Sequence, residues 1–248
     1  MIESDFDIVI PIGPLDINAI RTQIGFTKTN IIGYRNIYLV SVDPNLQIDG
    51  CITISESIFP FSLKTVEEYH GKSSRNGWFL QQLLKLYAGL VIPDILGRYL
   101  VIDSDTFFLK PITFDKNYFC YGTEYHQPYF EHLKKLLPSL EKMDPQKSGI
   151  CHHQMFETKY LKELFTMVEQ YHAEQSTTNP RFFEIFLKNV DPQHYTASGA
   201  SEYEIYFNFM LKYHPDQVIL RPLRWCNAPY IVTNANLDYV SCHWYIRQ

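Results

Sequence analysis

The chain lacks any apolar run approaching the ~20 residues that a membrane-spanning helix requires, although 46% of its 248 residues are hydrophobic. No basic n-region opens the amino terminus, Met1-Ile2-Glu3-Ser4-Asp5-Phe6-Asp7, so a secretory signal is not expected. Cysteine is scarce: five residues, at 51, 120, 151, 226 and 242, make no C-x-x-C and are odd in number. Free thiols in a reducing, cytoplasmic setting are expected over a disulfide framework. Basic charge is not in excess; a formal charge of −5 and a pI near 6.0 argue against a nucleic-acid partner or an anionic membrane surface. There is no G-x-x-x-x-G-K-[ST], hence no P-loop. Linkers and low-complexity stretches are also missing, and the length suits one sizeable α/β core, a single domain over 1–248.

What is abundant is aromatic residues, 15% with 18 Tyr and 17 Phe, most of which must be core. The most informative run is Tyr99-Leu100-Val101-Ile102-Asp103-Ser104-Asp105-Thr106-Phe107-Phe108-Leu109. Four apolar residues fit a strand covered on both faces, and the strand ends in two carboxylates one residue apart. Strand alternation sends Asp103 and Asp105 to one side and Ser104 to the other. The carboxyl end of such a strand is where open α/β sheets bind ligands. Two unpaired carboxylates there repel each other, and a divalent cation such as Mg2+ or Mn2+ relieves that repulsion. The plainer alternative is an Asx turn closing the strand.

Upstream, Phe6–Ile12 reads as a first buried strand ending in Gly13-Pro14, a helix is expected from Asp16 to Ile24, and Asn36–Ser41 reads as a second strand. Strand, helix, strand with short turns predicts a parallel pair with a right-handed crossover. The strongest helical pattern lies between Arg75 and Val91, with Asn76 as N-cap and Phe79, Leu80, Leu83, Leu84, Tyr87, Leu90 and Val91 as the core face. Trp78, Gln81, Gln82 and Lys85 form a second stripe at separations of three and four, a polar surface with an aromatic in it. Farther on, Tyr118–Thr123 reads as a strand and Tyr129 to Lys142 as helical. Gly149–Phe156 reads as a strand with adjacent histidines His152 and His153, one facing a cleft while the other packs. Ser201 and Glu204 match the S-x-x-E capping box at a helix start, which leaves Glu202 over, in a first turn where the helix dipole alone also favours an acidic residue.

The segment Gly97-Arg98-Tyr99-Leu100-Val101-Ile102-Asp103-Ser104-Asp105-Thr106, followed by Phe108-Leu109-Lys110-Pro111, resembles the D-x-D region of GT-A glycosyltransferases. The resemblance implies a GT-A type α/β domain, Rossmann-like, with a mainly parallel central sheet flanked by helices. It implies a nucleotide-sugar donor and a glycan or other hydroxyl acceptor. The donor diphosphate would be held by a metal on Asp103 and Asp105. His243, in Val240-Ser241-Cys242-His243-Trp244-Tyr245, resembles the residue that completes the metal shell, and imidazole favours Mn2+ over Mg2+. Glu202 resembles the general base of inverting members, where a carboxylate takes the proton of the attacking hydroxyl. The loops Pro11–Asp16, including Ile12, and Ser41–Asp43 would hold base and ribose. Ser104, Gln81, Gln82 and Lys85 would contact the donor, and Trp78 with His152 or His153 the sugar or acceptor.

Two other readings remain open at this point. A non-catalytic glycan- or nucleotide-sugar-binding module would keep the fold without turnover. A haloacid-dehalogenase-type D-x-D phosphatase is less favoured, because that family places its motif near the amino terminus with Thr or Val two residues after the second Asp. Here that position is Phe107.

Overall fold

The computed structural model describes residues 6–175, 177–232, 236–243 and 245–247. Met1–Asp5, part of the segment whose lack of a basic n-region made a secretory signal unexpected, and Trp244 lie outside the described residues. In chain order the elements used below are β1 (Phe6–Pro11), α1 (Ile20–Asn30), β2 (Tyr34–Ser41), β3 (Ile52–Ser55), α2 (Leu63–His70), α3 (Asn76–Val91), β4 (Arg98–Ile102), β5 (Thr106–Phe108), α4 (Gln127–Leu136), β6 (His153–Glu157), α5 (Thr158–Ala173), α6 (Phe182–Lys188), α7 (Glu202–Tyr213), β7 (Trp225–Asn227) and β8 (Tyr239–Ser241).

The main sheet runs β3-β2-β1-β4-β6. Its first four strands are parallel and β6 is antiparallel to β4, so the expected mainly parallel sheet flanked by helices is what forms. Side-chain alternation divides the core. Ile8, Ile10, Leu100 and Ile102 point to the face covered by Ile20 and Ile24 of α1. Val9, Tyr99 and Val101 point to the opposite face, covered by apolar residues of α2 to α7. Odd-numbered residues of β4 therefore look toward α3 and α7, and Asp103, the next odd position, continues that direction. A second sheet, β7-β8-β5, carries the chain after the D-x-D turn and pairs it with the carboxyl-terminal segment.

Several boundaries differ from the expected ones. The predicted helix at Asp16 begins at Ile20, because Asp16 is engaged in side-chain bonds to Ser104 and Arg247. The N-cap of α3 is Arg75, with no side-chain cap, while Asn76 donates to the Gly71 carbonyl. Leu90, expected on the core face, is exposed. The strand after Pro111 shrinks to Tyr118–Phe119. α4 stops at Leu136, since Pro138 disfavours helical backbone at the residue before it. The strand expected from Gly149 begins at His153, because His152 has φ of +59°, a left-handed conformation outside any ladder. Half of the expected capping box exists: Ser201 Oγ accepts from the Glu204 amide, but the Glu204 carboxylate accepts from Ser148 Oγ and Asn208 instead. Among the described residues no helix is long and apolar enough to cross a membrane.

Candidate active site

The carboxyl ends of β1, β2 and β4 open onto a cleft of about 690 Å³, walled by α3 and by the start of α7. Pro11, Ile12, Trp78, Gln81, Lys85, Asp103, Ser104, Asp105, His152, Glu202 and His243 all line it. Residues as far apart as Pro11 and His243, 232 positions in the sequence, are thus brought to one sheet edge.

Two expected site residues are elsewhere. His153 pairs with Ile102 across the β4–β6 ladder and so shares its face, inside rings of Phe108, Phe114 and Tyr239. Burial there pulls its pKa down to about 3. Gln82 is turned inward: its Oε1 accepts from the Glu202 backbone amide at 3.1 Å, and its Nε2 is buried without a partner. It positions the start of α7 and does not face the cleft.

At the floor of the cleft a buried ammonium bridges two carboxylates. Lys85 Nζ donates to Asp103 Oδ1 at 2.5 Å and to Glu202 Oε1 at 2.6 Å. Tyr203 Oη donates to the same Asp103 oxygen at 2.8 Å, and His152 Nδ1 lies 3.3 Å from Asp103 Oδ2. Burial disfavours the charged form of Lys85, but the two carboxylates outweigh it and hold the ammonium pKa above its usual value. Asp103 is pushed up by burial and down more strongly by Lys85 and His152, ending well below the usual carboxylate range. Glu202 ends higher than usual: burial raises it, Lys85 lowers it, and neighbouring Asp103 raises it again. One ammonium cannot neutralise two carboxylates, and Glu202 is the member left partly uncompensated.

Asp105 heads a second chain of contacts. His243 Nδ1 is 3.1 Å from Asp105 Oδ2; Arg247 donates to Asp16 at 2.6 Å and reaches Asp105 at 3.7 Å. Ser104 Oγ donates to the other Asp16 oxygen at 2.7 Å. Burial lowers the His243 pKa, yet its bond to Asp105 wins and the imidazole titrates above its normal value. Edge-on contact with His152 at 4.7 Å joins the two chains. The left-handed backbone that aims His152 inward costs on the order of 1 kcal/mol.

A divalent cation fits Asp105 and His243. Asp105 Oδ1 is buried without a hydrogen-bond partner, and carboxylate with imidazole is a donor pair suited to Mn2+. The local charge agrees: Asp16, Asp103, Asp105 and Glu202 are matched by two permanent cations in ion-pair contact with them, Lys85 and Arg247. Asp103 fits less well, since both its oxygens are already engaged by Lys85, Tyr203 and His152. Among the described residues no three His, Cys, Asp or Glu side chains form a ready cage, so further ligands would have to come from a substrate.

Tyr203 and Arg247 make contacts at the site that no motif announced, whereas Asp16 lies in the loop expected to hold base and ribose. Tyr203 follows Glu202 directly in the sequence. Arg247 is brought back to Asp16 by the carboxyl-terminal fold, which leaves no local pattern.

The mainly parallel sheet flanked by helices, with a cleft at its strand ends, is an α/β fold shared with a solved structure. The mouse xyloside xylosyltransferase 1 structure, apo form, matches over 98% of this chain and 99% of that one, with a TM-score of 0.50 and 10% sequence identity. The model of the family of unknown function DUF6492 matches residues 47–219, and the chain belongs to that family. No curated protein matches the sequence.

Proposed function

We propose that this protein transfers a sugar from a nucleoside-diphosphate sugar to a hydroxyl acceptor, in a metal-dependent reaction that inverts the anomeric centre. The observation that supports this most is that Asp105 with His243, and Glu202 bridged to Asp103 by Lys85, meet in one cleft at the ends of the parallel strands. The likeness in fold to a xylosyltransferase agrees with it.

Asp105 and His243 would hold Mn2+ or Mg2+, which supplies positive charge for the departing diphosphate. Asp16 and Arg247 keep the Asp105 carboxylate in place. The nucleotide rests on the Pro11–Ile12 turn, whose Pro11 carbonyl is held by the Gln81 amide at 3.3 Å. Ser104, beside that turn, spends its hydroxyl on Asp16. Trp78 and His152 flank the space for the sugars. Lys85 and Tyr203 are positioning residues: they hold Asp103, and Lys85 holds one Glu202 oxygen. The other Glu202 oxygen takes the acceptor proton as the hydroxyl attacks. A carboxylate whose pKa is raised by burial is a better base than a free one, and attack opposite the leaving group inverts the centre.

The test is a panel of nucleotide sugars incubated with Mn2+ and assayed for free or transferred sugar. One donor is expected to be consumed in a metal-dependent way, and Asp105→Ala is expected to abolish it. Equal turnover by Asp105→Ala would reject the reading.

A further inference from the structure

The wall of the cleft beyond Trp78 holds a cation that the transfer chemistry described above does not use. Arg75 lines the cleft and is half-buried. Its guanidinium lies 4.4 Å over the Trp78 ring. Nε donates to the Ala197 carbonyl at 3.3 Å and Nη2 to Ser198 Oγ at 2.7 Å. A guanidinium has five N–H donors in a rigid fork. Among the described residues no carboxylate lies within ion-pair distance of it, and Nη1 has no protein acceptor. Glu124 lines the same stretch of wall without pairing to it.

That is an unusual place for an unpaired cation. Burial disfavours its charge, and desolvated charges are normally matched. The surrounding structure nevertheless holds it still. The Ser198 carbonyl accepts from His126 at 2.7 Å, His126 packs on Tyr129 at 4.5 Å, and the Tyr129 ring lies 6.5 Å from that of Trp78 with 27° between their planes. Beside it, a Cβ added to Gly77 would meet nothing within 4 Å, so there is room for a ligand. The tether is to the 197–198 loop leading into Glu202, and not to Asp105 or His243.

We propose that Arg75 is the anchor for an anionic group, phosphate or carboxylate, carried by the acceptor sugar. The proposal rests on the glycosyl-transfer reading only in naming the ligand an acceptor. A fork donating to two oxygens of one anion makes charge-assisted bonds about twice as strong as neutral ones, and the anion would fix which acceptor hydroxyl reaches Glu202. A neutral sugar would leave the guanidinium unmatched.

The donor diphosphate is the other source of an anion, and the experiment separates the two. Wild-type protein is titrated by calorimetry with glucose 6-phosphate, glucuronate and glucose, each with and without Mn2+ pyrophosphate. Either anionic sugar is expected to bind about ten-fold or more tightly than glucose, the equivalent of one charge-assisted contact. Mn2+ pyrophosphate is expected to leave that affinity unchanged. Arg75→Gln is expected to erase the difference between anionic and neutral sugars, and Arg75→Lys to retain part of it, with thermal melts confirming that both variants fold. Equal binding of all three sugars, a difference that survives in Arg75→Gln, or displacement of the anionic sugar by Mn2+ pyrophosphate would each overturn the proposal. If Mn2+ pyrophosphate fails to bind at all, the donor-site reading falls while the comparison among sugars still decides the role of Arg75.

Discussion

The ammonium of Lys85 lies 2.6 Å from the carboxylate of Glu202, 117 positions away in the sequence, and both side chains are almost wholly buried. The contact ties α3 to α7 across the cleft floor and sets the charge state of the proposed base.

Removing one member of a buried ion pair leaves the other uncompensated, at a cost of about 3–5 kcal/mol. Lys85→Met strands two carboxylates and is expected to lose stability in that range. The double variant Lys85→Met with Glu202→Gln is expected to be more stable than the sum of the single losses, by a coupling of about 1–3 kcal/mol. Urea unfolding of the four proteins checks this, and strict additivity would contradict the geometry.

Glu202→Gln keeps the shape of the side chain and its capacity to accept from Lys85. Removal of a general base typically slows chemistry by about 100- to 10,000-fold. The expected signature is that loss in transfer rate, with donor affinity measured by calorimetry staying within a few-fold. A variant with undiminished transfer would move the base elsewhere.

Part of the acid sensitivity should come from His132, which like His153 is buried outside the cleft with a lowered pKa. His132 Nε2 donates to the Phe186 carbonyl at 2.9 Å, and burial pulls its pKa down to about 4. Such a histidine binds a proton more readily in the unfolded chain, where its pKa is about 6.5. Stability is therefore full above that value, falls as pH drops below it, and goes on falling until about 4. His132→Gln, which keeps a donor for Phe186 and cannot titrate, is expected to show a shallower loss of unfolding free energy between neutral and mildly acid pH. Identical slopes would contradict the assignment.

A backbone contact supports the same region. A Cβ on Gly149 would lie 2.6 Å from Phe207 Cβ and 2.8 Å from the Tyr203 carbonyl. Helix α7 cannot give way there without moving Tyr203 and Glu202. Gly149→Ala is expected to cost about 1–3 kcal/mol, as overpacking does, and to reduce turnover as well. A melting temperature unchanged from wild type would show that the 149–152 turn is free to shift.

Much of the fold was legible because it was written in period. Near-continuous apolar runs in Phe6–Pro11 and Tyr99–Ile102 announced a sheet buried on both faces, and spacing in Asn76–Val91 announced the helix beside it. The D-x-D at the end of β4 pointed to a ligand edge, and the cleft is there. The rest depended on contacts that no local pattern contains. The engagement of Lys85 with Asp103 and Glu202 arises from the approach of α7 to α3. The inward turn of Gln82 follows from the same approach. His152 and His153 were expected to diverge, and they do, but a left-handed residue and not strand alternation alone separates them. Arg247 reaches Asp16 only through the return of the carboxyl-terminal segment.

The most direct measurement is a crystal structure of the protein soaked with Mn2+ and the donor nucleotide, with the metal located by its anomalous scattering. The account predicts a peak in bonding contact with Asp105 and His243, its remaining positions filled by diphosphate oxygens. A peak at another place, or nucleotide bound with no metal beside Asp105, would contradict it.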